Sequence, residues 1–123
     1  MVEFAIVANL MFVAILACME FARMNMVRNL AQDAAYYAAR QAIVPGATDA
    51  EALAEADRIM SSMMDTGYTV DVSALDSDST ELTVTISVDL DQVALFTPMF
   101  LPNSTISTQA HMHTERYDGF YEQ

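Results

Sequence analysis

Between Phe4 and Met19 the chain reads FAIVANLMFVAILACM, sixteen residues in which Asn9 is the single polar side chain. No proline or glycine follows until Pro45 and Gly46, so nothing in the backbone chemistry interrupts a helix begun near Val2. The spacing predicts one helix from about Val2 to Ile43, which at the standard rise is on the order of 60 Å long. With Met1 to Glu3 added and Glu20 placed at a boundary, the apolar run reaches the roughly 20 residues that cross a bilayer core. It lacks the basic flank and the small-residue cleavage pattern of an ordinary secretory signal.

The second half of this helix has a different character. Val27, Leu30, Ala34, Tyr37 or Ala38, and Ala42 recur at steps of three and four, while Asn25, Arg28, Asn29, Gln32 and Arg40 fall mainly elsewhere. The first half is apolar all round and needs a non-aqueous environment on every side. The second half needs one partner face and tolerates water on the other. Glu3 precedes the apolar run, where a carboxylate is favoured by the open N–H groups of a first helical turn. Glu20 and Arg23, three apart, can pair on one face at its far edge. Two readings stand for these charges. Glu3 and Glu20 can mark two membrane boundaries, or Glu3 can meet a positive amino terminus on a neighbouring subunit and define axial register, since an uncompensated carboxylate in an apolar bundle is costly.

Charge divides the chain in two. Residues 1–43 balance Arg23, Arg28 and Arg40 against Glu3, Glu20 and Asp33. Residues 44–123 hold only Arg58 and Arg116 against fourteen carboxylates and carry the whole net charge of -12. The division predicts a stalk over 1–43, with 1–22 as its membrane-spanning or filament-core part, and an acidic head over 44–123. Such a head repels other acidic surfaces and stays soluble. Nucleic acid is excluded as a partner, because almost nothing here replaces counterions along a phosphate backbone. With one cysteine, Cys18, there is neither an intrachain disulfide nor a CxxC pair. Inside the apolar run Cys18 reads as a small buried hydrophobe.

In the head, Pro45-Gly46 stops the first helix. Thr48 and Glu51 have the spacing of a capping box, and Asp49 adds negative charge to the first turn of a second helix. Leu53, Ala56, Met60 and Met63 or Met64 form its inward stripe, Glu51, Glu55 and Arg58 point outward, and Gly67 is a C-terminal stop. This helix is expected to pack beside the lower part of the stalk. Beyond Gly67 the period changes to two. Tyr68, Val70 and Val72 alternate with Thr69, Asp71 and Ser73; after a polar turn at 76–79, Leu82, Val84, Ile86, Val88 and Leu90 alternate with Thr83, Thr85, Ser87 and Asp89. These form a hairpin with one face on the helices. Residues 91–101 lose the alternation, and Pro98 and Pro102 prevent a long element there. A third strand runs from Thr105 to about Tyr117, with Ile106, Thr108, Ala110, Met112 and Thr114 on one side and Ser107, Gln109, His111, His113 and Glu115 on the other. The fold class is α+β, a long apolar N-terminal helix with a small head of one further helix and a three-stranded antiparallel sheet.

Catalytic chemistry finds no footing in this pattern. His111, His113 and Glu115 share a strand face, but alternate positions lie about 7 Å apart and splay away from a single ion. Asp76, Asp78 and Glu81 lack the glycine of a tight calcium loop. No nucleophile with a base and an orienting group, no P-loop and no dinucleotide fingerprint occurs. No metal and no cofactor is expected. The ten methionines suit adaptable packing against partner helices better than copper binding.

Taken together, Val2-Glu3-Phe4-Ala5-Ile6-Val7-Ala8, the hydrophobic run, Glu20-Phe21-Ala22-Arg23 and the small-residue stretch Ala31-Gln32-Asp33-Ala34-Ala35-Tyr36-Tyr37-Ala38-Ala39-Arg40-Gln41-Ala42 resemble the TadE-like family of pilus subunits and pseudopilins. Met112 to Glu115 more loosely resembles its closing strand. The family commonly has proline where this chain has Asn9, and its glutamate is usually the fifth mature residue, later than Glu3. The resemblance implies cutting by a prepilin-type peptidase, residence in the inner membrane, and extraction by pilus assembly machinery into a helical homo-oligomeric filament at the cell surface. It assigns assembly to Glu3, Phe4, Glu20 and Arg23. The alternative is a non-polymerising single-pass membrane protein or minor pseudopilin whose acidic head binds another envelope component.

Overall fold

A computed structural model describes residues 2–44, 46–73, 81–93 and 103–113. In chain order it contains α1 (Val2–Ala42), α2 (Asp49–Met60), β1 (Tyr68–Val72), β2 (Glu81–Asp89), a short helical turn α3 (Leu90–Val93) and β3 (Thr105–His113). The long helix, the second helix and the three-stranded antiparallel sheet match the fold class read from the sequence.

The sheet has the order β1-β2-β3 with β2 in the centre. Its register pairs Val70 with Ile86 in one ladder, and Val84 with Ala110 in the other. Because β2 has neighbours on both sides, its inward residues Leu82, Val84, Ile86 and Val88 are wholly buried. The inward residues of the edge strands, Tyr68, Val70, Val72, Ile106, Ala110 and Met112, are half-buried. Asp89 tightens the exit from β2, accepting the Asp91 N–H at 3.1 Å on Oδ1 and the Gln92 amide at 3.3 Å on Oδ2. The Asp91 carboxylate in turn accepts the backbone N–H of Asn103, so the end of β2 is tied to the approach to β3. Leu90, expected to extend the alternation, instead opens α3, while its N–H still reaches Ser104 O at 3.0 Å. Of the third strand, Thr105–His113 is described; residues 114–117 of that expectation, Glu115 among them, lie outside the described residues, as do the turn at 76–79 and residues 94–102.

The helices cover the inner face of this sheet. The lower half of α1 buries Val27, Ala31, Ala34, Ala35, Ala38, Ala39 and Ala42 in one core with Ala52, Ala56, Met60 and Met64 and the β2 residues. Asn25, Arg28, Asn29, Gln32 and Arg40 are exposed, as their spacing indicates. Of the alternatives left open by the sequence, Ala38 and not Tyr37 takes the inward place on α1, and Met64 and not Met63 is buried after α2. Two details differ from expectation. On α2 the inward residue is Ala52, with Leu53 turned out. Gly67 does not stop α2: the helix ends at Met60 with Ser61 as its cap. Gly67 stands instead at the entrance to β1 with φ +89, a left-handed backbone that suits glycine, and its carbonyl receives the Asp89 N–H at 2.9 Å. The start of α2 is as its sequence indicates, Glu51 Oε2 accepting the Thr48 N–H at 3.2 Å.

Candidate functional site

The unusual surface is the upper half of α1, residues 2–22. Phe4 is 78% exposed, Leu10 71% and Phe12 66%, and their large apolar neighbours on every side of the helix are exposed as well, with Ala8 and Ala17 half-buried. The helix is long and apolar enough to cross a membrane, and its most apolar window has no residue buried within the chain. Transferring such side chains from water to an apolar setting is worth about 1.5–3 kcal/mol each. A single copy in water forgoes all of that, so this half of the helix calls for lipid or protein around it.

The residues assigned to assembly are spread along this helix. Glu3 lies in the first turn of α1, next to exposed Phe4. Glu20 and Arg23 are half-buried, a turn apart, where the apolar half gives way to the head-bound half. Seventeen residues of helix put Glu3 and Glu20 roughly 25 Å apart along the axis, so they do not form one cluster within a chain. Glu3 is exposed in the first turn, and Glu20 and Arg23 sit at the junction of the two halves.

Cys18 is exposed, contrary to the expectation of a buried thiol. Burial there needs a neighbour, and among the described residues none packs on it. With Met11, Ala14, Ile15, Met19 and Ala22 it lines a shallow apolar groove along the helix. Sequence reasoning missed this groove; the signal lay in Ala14, Cys18 and Ala22, small residues at steps of four on one helix face.

The outer face of the sheet is polar. His111 Nδ1 and Thr83 Oγ1 lie 2.9 Å apart, and His113 Nε2 is 3.6 Å from a Glu81 carboxylate oxygen. Each histidine thus has its own cross-strand neighbour. Among the described residues no group of three metal-ligating side chains converges. A second feature absent from the sequence reading is the Tyr68 hydroxyl, which donates to Asp57 on α2. The Asp57 carboxylate, partial burial and the nearby charge of Asp65 push this phenol up to about 12. The pair joins the edge of the sheet to α2.

A family model described as TadE, TadE-like protein, matches residues 1–40. The matched span is α1 almost to its end and stops before the head. No curated protein and no solved structure matches the chain.

Proposed function

We propose that this chain is a structural subunit of an extracellular, pilus-like filament of the Tad type, held together by its apolar N-terminal helices. The observation that carries this reading is the division of one continuous helix. Its lower half is fixed in the head core, and its upper half stands clear with its apolar side chains uncovered. The family match over residues 1–40 supports the same reading.

Before assembly the upper half rests in the inner membrane, whose core it has the length to cross. A prepilin-type peptidase and the pilus assembly machinery are the partners at that stage. On extraction, lipid is exchanged for copies of the same helix, and burial among them supplies the cohesion of an unlinked polymer. The acidic heads remain at the surface. Glu3 is favoured by its own helix terminus and supplies a charge for a neighbouring amino terminus.

The test is electron microscopy of sheared cell-surface material with amino-terminal sequencing of the protein it contains. Filaments containing this chain are expected. The chain confined intact to the membrane fraction would instead establish the non-polymerising alternative. Glu3→Ala and Glu3→Arg are expected to reach the membrane at normal levels and to lower filament yield; unchanged yield in both would remove the assembly role of Glu3.

A further inference from the structure

On the side of the head away from β3, the sheet ends in β1, which among the described residues has β2 as its only strand neighbour. Two bonds bracket this strand, Ser73 N–H to Thr83 O and Asp89 N–H to Gly67 O, both 2.9 Å. Bonded pairs alternate in an antiparallel ladder, so Gly67, Thr69, Asp71 and Ser73 turn their backbone groups to β2. Tyr68, Val70 and Val72 turn theirs to the open edge. On the inner face beside that edge, Leu53, Ala54 and Asp57 of α2 and Tyr68 and Val70 of β1 line a shallow groove. Leu53 is 38% exposed there. On the outer face Asp71 is exposed, and Asp65 stands near enough to the Tyr68 phenol to act on it. Neither aspartate has a cationic partner among the described residues. Arg58, the one arginine of the head among them, is held by Glu55.

We propose that the β1 edge and this groove form a docking site for an extended segment of a different protein, one in which apolar side chains alternate with arginine or lysine. Such a segment adds as a further strand, pairing with the backbone of Tyr68, Val70 and Val72. Its residues opposite those three fall on the inner face, where apolar side chains cover Leu53 and Val70. The residues between them fall on the outer face, where a cation meets Asp71. An edge strand that stands alone is commonly blunted by lysine, proline or a bulge, and Tyr68–Val72 has none of these. Its one charge, Asp71, turns away acidic strands and admits basic ones. Charge also makes the occupant foreign. The strand β3 has no lysine or arginine, and residues 94–102 carry no charge. Residues 74–80 contain Asp76 and Asp78, and residues 114–123 set Arg116 against Glu115, Asp118 and Glu122. No extended segment of a second copy therefore joins apolar alternation to net positive charge, and a second acidic head is repelled. The site is confined to the head and goes beyond the filament reading, holding whether or not the stalks polymerise.

The probe is a short synthetic peptide alternating valine and arginine, its binding to the full chain in non-ionic detergent followed by fluorescence anisotropy. A peptide of the same composition with its arginines in one block is the comparison, and the alternating one is expected to bind about tenfold more tightly. Leu53→Glu is the decisive variant, because it adds a carboxylate while removing the apolar floor of the groove. The site predicts about tenfold weaker binding to it, whereas attraction to acidic charge alone predicts tighter binding. Val70→Pro removes an edge N–H without touching the ladder to β2 and is expected to abolish binding, with circular dichroism reporting that the head is folded. N-methylation of the peptide's valines removes bonds to the same edge from the partner side, so the backbone claim is tested without altering the protein; N-methylation of its arginines is expected to be tolerated. Asp71→Asn is expected to weaken binding about threefold and to flatten its salt dependence. No binding, equal binding of the two peptides, tighter binding to Leu53→Glu, or indifference to methylation of the valines would each overturn the proposal.

Discussion

The two halves of α1 are one helix with opposite distributions of apolar weight. In the lower half the buried residues are six alanines and Val27, small groups that let the helix settle closely onto α2 and the sheet. In the upper half the residues are Phe4, Ile6, Leu10, Phe12, Ile15 and Leu16, each with far more apolar surface, and all are exposed. The chain places its bulkiest stalk side chains outside its own core. The lesson is that folding of the head and cohesion between copies draw on different residues of the same element. Each can then be perturbed without the other.

The largest expected effect breaks this comparison directly. Ala38→Leu inserts three heavy atoms where alanine is wholly buried, and overpacking of this kind is expected to cost about 3 kcal/mol of head stability. Ala14→Leu is the same change on the same helix, in the groove of the exposed half, and is expected to leave head melting unaltered while disturbing assembly. Urea unfolding in detergent, followed by far-UV circular dichroism and tyrosine fluorescence, measures both. Equal effects of the two substitutions would show that the halves are not independent.

This asymmetry also explains what could be read from the residues alone. The length of α1 followed from the absence of Pro and Gly before Pro45, and the inward set of β2 from its unbroken alternation between Leu82 and Val88. Both are signals carried by strong residue types. The contact faces built on alanine were harder to place, because alanine has little hydropathic weight and bulky neighbours compete with it in any periodic pattern. Thus Leu53 displaced Ala52 as the expected inward residue of α2, although a bulky side chain would hold the helices apart, and Tyr37 competed with Ala38 on α1. Gly67 was read as a helix stop because a positive φ serves both that role and the entrance to a strand. The apolar surface of the candidate site was legible in its composition. The groove along it was not, since it is formed by Ala14, Cys18 and Ala22, small residues of little hydropathic weight.

A smaller effect probes the head where α2 meets the sheet edge. Tyr68→Phe removes the hydroxyl that donates to Asp57 and is expected to cost about 1 kcal/mol at neutral pH, the usual net value of such a bond near solvent. The folded phenol is raised from 10.0 to about 12, so the folded state holds its proton more tightly than the unfolded one. The contribution is fully present below pH 10 and is lost as pH rises through about 12. Melting curves between pH 9 and pH 12 should show the wild type losing its advantage over Tyr68→Phe across that window. Parallel curves for the two proteins would show that the hydroxyl contributes nothing through its proton.

The smallest expected effect lies on the outer face of α2, where burial gives no leverage. Arg58 donates from Nε to Glu55 at 2.9 Å and from Nη2 at 2.6 Å. The guanidinium hydrogen bond holds the Glu55 carboxyl below its ordinary value and raises Arg58 in turn. A depressed carboxylate stabilises the fold above its unfolded value and ceases to do so as pH falls through the folded one. Solvent screening and the entropy of two long side chains nearly cancel that gain at the surface. Glu55→Gln is therefore expected to leave the melting temperature unchanged within error at physiological salt, and only low-salt titration below the ordinary glutamate range to separate it from the wild type. A loss as large as that of Ala38→Leu would mean that α2 is held from its solvent side, and the burial of Ala52, Ala56 and Met60 could no longer account for its position.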